Sequence, residues 1–158
     1  MAIYIEFQGI KGDATHSKHK QWLDIESLQW GAGRAIMTRA GSAQNREASE
    51  PSISEVTVTK RMDSSSAQLF QEACAGSEGK KVVVHLVTTG DPGDVYMTYT
   101  LHNTLVSSYS VSTSGDMPKE SVSFNFTKLE MKYTIFDNAH KPVNNFPASY
   151  DLATTEAS

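Results

Sequence analysis

Only one cysteine, Cys74, occurs in the 158 residues. A single thiol closes no intrachain disulfide and supplies no multi-cysteine zinc site, and it suits folding in a reducing compartment. Long apolar runs are also missing. The longest are short, such as Val82-Val83-Val84, far below the ~20 residues that span a bilayer, so direct membrane insertion is not expected. Positive charge is scarce and scattered: 14 Lys and Arg stand against 18 Asp and Glu, a net charge of −4. Without a concentrated basic patch the chain is a poor partner for nucleic acid. The first residues, Met1 to Phe7, carry no positive leader region, so no secretory signal peptide is expected. What is there is ordinary for a globular domain: 39% hydrophobic and 20% charged residues. A single domain of this length buries roughly 70% of its unfolded surface.

Most of the chain has strand periodicity. Ile3, Ile5 and Phe7 alternate with polar or smaller neighbours, which predicts a half-buried first strand. Trp22 to Trp30 predicts a second, with Leu23 and Ile25 in one phase and Leu28 and Trp30 in another. Ile53 to Arg61 alternates cleanly through Val56 and Val58. Lys81 to Thr89 is nearly continuous and apolar, which suits a strand covered on both faces. Val95, Met97, Tyr99 and Leu101 alternate, and Leu105 to Thr113 follows. From Glu120 to Phe136 the phase changes. Val122, Phe124 and Phe126 are even-numbered, whereas Leu129, Met131, Tyr133 and Ile135 are odd-numbered. A bulge or bend near Thr127 and Lys128 would keep both sets inward. Long bent strands of this kind suit a barrel or a strongly curved sandwich.

One helix interrupts the strands. Ser65 and Gln68 have capping-box spacing. Leu69, Phe70, Ala73 and Cys74 share one helical face, and Gly76 is placed to end the helix with a positive φ. On this reading Leu69, Phe70 and Cys74 pack inward. Gly90-Asp91-Pro92-Gly93 and Ser114 to Pro118 are hairpin turns. Arg34 to Pro51 forms a long polar arm, too long for a plain connection. The tail from residue 138 to 158 has Pro142 and Pro147, and its end is expected to be loose.

No catalytic constellation stands out. His16 and His19 are three apart with Asp13 three before. That spacing suits a metal only on a helix, and no further His or Cys cluster follows. These, with His85, His102 and His140, read as surface histidines. Gly31-Ala32-Gly33 lacks the rest of a phosphate loop, and no serine sits in a nucleophile elbow. No metal, cofactor or enzymatic activity is expected.

Three stretches resemble the Hcp (haemolysin-coregulated protein) family of bacterial type VI secretion. The first is Gly12-Asp13 with His19-Lys20-Gln21-Trp22-Leu23-Asp24-Ile25-Glu26-Ser27 and then Gln29-Trp30-Gly31. The second runs Val56-Thr57-Val58-Thr59-Lys60-Arg61-Met62-Asp63, then Leu69-Phe70 and Ala73-Cys74-Ala75-Gly76. The third is Glu120-Ser121-Val122-Ser123-Phe124-Asn125-Phe126. The sequence departs from the family at Asp91-Pro92-Gly93-Asp94 and at Ser64-Ser65-Ser66.

The resemblance implies a mainly β fold over residues 1–137: a compact β-barrel of two sheets, one short flanking α-helix and a long extended loop, with residues 138–158 as a C-terminal tail. It implies a structural role, as hexameric rings stacked into the inner tube of the apparatus. Implied partners are further copies of the chain, the VgrG spike, sheath and baseplate proteins, and effectors in the lumen. It also implies cytoplasmic synthesis followed by export through the apparatus. Arg39, Gly41, Arg46, Glu47 and Glu50 of the arm, with Asp91, Gly93 and Asp94 of the hairpin turn, are candidates for the subunit or ring interface. Ser107, Ser121, Ser123 and Thr127 are available for a polar channel wall. The alternative is a small β-barrel ligand-binding module or enzyme, with a concave apolar pocket. A toxin fused to the scaffold would need more chain than the tail offers.

Overall fold

The computed structural model describes residues 1–38, 40–41 and 47–158. The strands among them are β1 (Ala2–Phe7), β2 (Leu23–Gln29), β3 (Ala32–Gly33), β4 (Ile36–Met37), β5 (Glu47–Ala48), β6 (Ser52–Ile53), β7 (Val56–Arg61), β8 (Lys80–Val87), β9 (Val95–Ser112), β10 (Lys119–Asn125), β11 (Lys128–Phe136), β12 (Pro142–Asp151) and β13 (Glu156–Ala157). The helix α1 spans Ser66–Ala75. The main sheet runs β10-β7-β2-β1-β8-β9-β11-β12-β13, and an added β10–β9 pairing closes six of its strands into a barrel. The expected mainly β barrel is therefore present. All pairings in it are antiparallel, as hairpin connections allow.

Each change of hydrophobic phase has a local cause. In β2 the inward set shifts from Leu23 and Ile25 to Leu28 at a register break between Ile25 and Ser27. In β9 the shift from Leu101 to Val106 follows Asn103, whose φ of 52° lies in the left-handed region. Asparagine tolerates that conformation better than most residues. Along one edge this 18-residue strand serves two neighbours, residues 97–102 pairing with β11 and 105–112 with β10, while its N-terminal part also pairs with β8. The third flip falls between β10 and β11, where the chain leaves the ladder at Phe126 and Thr127 and the Thr127 N–H donates to the His102 carbonyl. This is a bend, one of the two forms expected there. The core inside the barrel is built from Ile5, Phe7, Leu23, Val56, Val58, Val82, Val84, Leu101, Val122 and Phe124.

Several expectations need correction. The strand foreseen over Ile53 to Arg61 is broken at Ser54 and Glu55. Ser54 turns back to bond Gly31 in both directions, its N–H donating to the Gly31 carbonyl and its Oγ accepting the Gly31 N–H. On α1, Leu69 is buried and Ala73 half-buried, but Phe70 and Cys74 face outward. The helix rests on β9 through a narrow contact: Phe70 meets only the Tyr109 ring, edge-on with centroids 6.1 Å apart, and otherwise lies in solvent. Ser65 does not cap through its hydroxyl, which donates to Asp63 instead. Gly76 has a φ of −65°, so it is not needed for handedness. It is needed for space, because a Cβ there would meet the Glu72 carbonyl oxygen at 2.6 Å. The end of the tail is not loose either: β13 pairs with β12 at Tyr150↔Ala157 and Asp151↔Glu156, and Ser158 exchanges backbone bonds with Ser149. β12 pairs with β11 from Lys128↔Asp151 to Phe136↔Pro142.

Because Cys74 is exposed and makes no core contact, Cys74→Ser is expected to change stability by less than ~0.5 kcal/mol. A thermal melt checks this; a fall of several degrees would place the thiol in the packing.

Candidate functional site

One outer face of the barrel is lined by hydroxyls. Its inward partners, Val56, Val58, Val122 and Phe124, are buried, so strand alternation turns Thr57, Thr59, Ser121 and Ser123 outward. The registers align Ser110, Ser121, Thr59 and Ser27 in one row across β9, β10, β7 and β2. Ser108, Ser123, Thr57 and Gln29 form the next row. Ser27 and Thr59 hydroxyls bond at 2.5 Å and those of Thr57 and Ser123 at 3.1 Å. None of the eight residues is charged. Such a face offers many weak hydrogen-bonding groups and no dry patch on which a polypeptide would stick. Ser121 and Ser123 both lie on this face. Ser107 is exposed but outside the two rows, donating to the Ser123 carbonyl, and Thr127 sits in the β10–β11 bend.

A charged trio closes one end of this face. Glu26 accepts from Arg61 Nε and Lys119 Nζ, both at 3.2 Å. The bond from Lys119 holds its carboxyl below the usual range.

Behind the same strands lies a buried polar knot. Lys60 and Glu120 point into the barrel end and are fully enclosed, with Nζ 2.6 Å from Oε1. Lys60 also donates to Asp63 Oδ1 and to the Arg61 carbonyl, both at 2.9 Å. Glu120 accepts Ser66 Oγ at 2.9 Å and the Tyr109 hydroxyl. Burial, and then Glu120 beside it, pushes the Tyr109 hydroxyl up to about 12. The knot joins β7, β9, β10 and the first turn of α1. It unites the Lys60-to-Asp63 stretch with Glu120, two stretches that the sequence shows only as separate motifs.

The interface candidates fall in two places. The arm leaves the barrel as two short ribbons, β3–β6 and β4–β5. Gly41 lies in the turn beyond them at a φ of 84°, and Glu50 is exposed near the root. Arg39, Arg46 and the side chain of Glu47 lie outside the described residues. Ile36 and Met37, which the sequence reading passed over, are exposed on the arm at 50% and 70%. The second place is the β8–β9 turn. Asp91 is exposed there, and Asp94 Oδ2 is 2.7 Å from His140 Nδ1. Gly93 has a φ of 85°, and a Cβ on it would meet the Thr88 carbonyl oxygen at 2.4 Å, so only glycine fits.

The expectation of surface histidines fails for His19, which is 2% exposed. It lies flat on Tyr4 (centroids 4.7 Å apart, planes at 14°) with Trp22 edge-on at 4.6 Å. Burial, and then His85 and His16, lowers its pKa to about 4. Its ring is bonded to His16 and His85. Among the described residues no group of three or more His, Cys, Asp or Glu is arranged to hold a metal.

The clefts are shallow. One of about 460 Å³ is lined by Glu6, Lys11, Lys20, Trp22 and Lys81, among others, on the outer surface. It has no converging acid, base and nucleophile.

The comparisons agree with this architecture. The family model described as "Type VI secretion system effector, Hcp" matches residues 4–133. A solved structure described as a type six secretion system protein is similar over 99% of both chains, at 25% identity and a TM-score of 0.90. Hcp1 from Salmonella typhimurium matches 99% of this chain with 98% of its own, at 21% identity and a TM-score of 0.80. In fold alone, the chain also resembles a chain of the anti-feeding prophage baseplate, at 13% identity, 82% and 90% coverage and a TM-score of 0.53. No curated protein sequence matches. The chain belongs to the Hcp family, whose members are structural components of type VI secretion systems and not enzymes.

Proposed function

We propose that this chain forms closed six-membered rings that stack into the inner tube of a type VI secretion apparatus, with the hydroxyl face of β2, β7, β9 and β10 lining the channel. The observation that carries this reading is the pair of uncharged rows from Ser110 to Ser27 and from Ser108 to Gln29. A conduit must pass folded cargo without holding it. Charged walls would select by sign, and apolar walls would bury cargo surface at about 25 cal/mol per Å². Neutral hydroxyls do neither. The tube would carry effectors in this lumen, bear the VgrG spike at its tip, start on the baseplate and slide within the sheath. It would be made in the cytoplasm and leave through the apparatus itself.

The arm and the β8–β9 turn supply the contacts between subunits and between rings. The arm's charges have mixed signs (Arg39, Arg46, Glu47, Glu50) and the turn is acid-rich. Paired charges at a rim orient partners more than they tighten them.

Ser121→Cys in a Cys74→Ser background gives one reactive thiol on the hydroxyl face. Labelled with a small maleimide–gold cluster and viewed by electron microscopy, rings are expected to show gold in the central hole. Gold on the outer rim would assign this face to the sheath side and overturn the channel reading.

A further inference from the structure

Segment 13–22 crosses the outer face of β1 and β8 without being helix or strand for most of its length. It is tied down by a file of three imidazoles. His16 Nε2 lies 2.6 Å from the Pro92 carbonyl oxygen in the β8–β9 turn. His16 Nδ1 lies 2.8 Å from His19 Nδ1, and His19 Nε2 lies 2.9 Å from His85 Nδ1 on β8. Tyr4 and Trp22 pack around them, with Trp22 and His85 centroids 4.8 Å apart.

One end of this file fixes every proton in it. A carbonyl only accepts, so His16 must donate from Nε2. Neutral His16 then has a bare Nδ1, which takes the N–H of His19 Nδ1. His19 in turn has a bare Nε2, which takes the N–H of His85 Nδ1. The weak approach of the Lys18 N–H to His16 Nδ1 at 3.4 Å agrees with an acceptor there. Three neutral rings satisfy all three bonds, with His85 Nε2 left over. With this proton order, a proton added at His16 Nδ1 or His19 Nε2 sets two N–H groups head to head. A proton at His85 Nε2 breaks no bond, but burial, and then Lys132 of β11, oppose it.

We infer that this file is an acid-released latch: with all three rings neutral it fastens segment 13–22 to the barrel and to the β8–β9 turn, and protonation frees the segment while the barrel persists. The latch stands on the outer side of the sheet: Ile3, Ile5, Val82 and Val84 turn into the core, and Tyr4 and its partner His85 alternate with the inward set. The charged surroundings favour release in acid. Lys18 and Lys132 add positive charge beside His19 and His85. Asp24 on β2 acts on Tyr4, and Asp94 of the turn is engaged by His140. No carboxylate bonds any of the three rings among the described residues.

The sign follows from the protonation states. An unfolded imidazole titrates near 6.5, whereas His19 is held neutral down to about 4, chiefly by burial. The latch is therefore fully formed above pH 6.5 and is lost as pH falls toward 4.

The test is nuclear magnetic resonance on the full chain with ¹⁵N-labelled histidine and tryptophan. At pH 7.5 the expected protons are on Nε2 of His16 and Nδ1 of His19 and His85. On acidification the Trp22 indole signal is expected to shift with a midpoint at least one pH unit below 6.5, while far-ultraviolet circular dichroism holds. His19→Phe keeps a ring on Tyr4 and should remove that transition. An Nε2 proton on neutral His19 would overturn the inference, as would three independent titrations near 6.5. So would an unchanged Trp22 transition in His19→Phe. If that variant does not fold, the wild-type proton positions and midpoint decide alone.

Discussion

Glu120→Ala is expected to destabilise the fold by about 3–5 kcal/mol, as removal of one partner from a buried ion pair does. Lys60 and Glu120 are both fully buried, with 2.6 Å between charged atoms. Removing the carboxylate leaves Lys60 with Asp63 and one carbonyl, and strips the acceptor from Tyr109 and Ser66. In a domain of this size the loss corresponds to a fall in Tm of roughly 10 °C. Glu120→Gln keeps the shape and an acceptor oxygen, so its cost should be smaller, roughly 1–3 kcal/mol. The joint replacement Lys60→Met, Glu120→Leu should recover part of the alanine loss, because no charge is then left unpaired. Denaturant melts of the three variants decide this. Equal, small effects for all three would mean that the knot does not hold α1 to the barrel.

Deleting Gly41 to Glu47 is expected to abolish stacking and export while sparing the barrel. The core lies wholly outside the arm, from Ile3 to Ile10 and from Val56 to Leu129 with Leu23 and Ile25 between. The root of the arm is held separately by the Gly31–Ser54 bonds and the β3–β6 pair. Nothing in that set needs the tip. Ile36 and Met37 are exposed side by side on the β4–β5 ribbon, where a second surface would gain by covering them. Circular dichroism should show an unchanged β signature, electron microscopy should show no stacks, and secretion should fail. Normal stacking and export in the deletion would remove the arm from the mechanism.

What was legible in the sequence is what strand alternation writes down. Ile3, Ile5 and Phe7, or Val122 and Phe124, are buried because every second side chain faces the core. Phase changes were legible too, since an inward set that switches parity demands a bulge or bend, as at Ile25–Leu28 and Phe126–Leu129. Contacts between distant segments were not. His19 and His85 are 66 residues apart, and His16 and His19 lie on neither helix nor strand periodicity. Their burial comes from stacking on the outside of a sheet, which alternation marks as polar. The pairing of Lys60 with Glu120 is not legible, because a charge on an inward phase shows nothing of its partner. Helical spacing puts Cys74 and Phe70 on the face of Leu69 and Ala73 but does not show how much of that face is covered: Leu69 is buried, Phe70 reaches only the edge of Tyr109, and Cys74 is exposed. β12 escaped notice because Pro142, Asn144, Asn145 and Pro147 blur its pattern, while β11 supplies its backbone partners.

The central claim is a closed ring. Size exclusion coupled to light scattering on the purified chain at micromolar concentration reads it directly. Six copies of a 17.3 kDa chain give about 104 kDa, or a multiple of it where rings stack. A single species of 17.3 kDa would contradict the account.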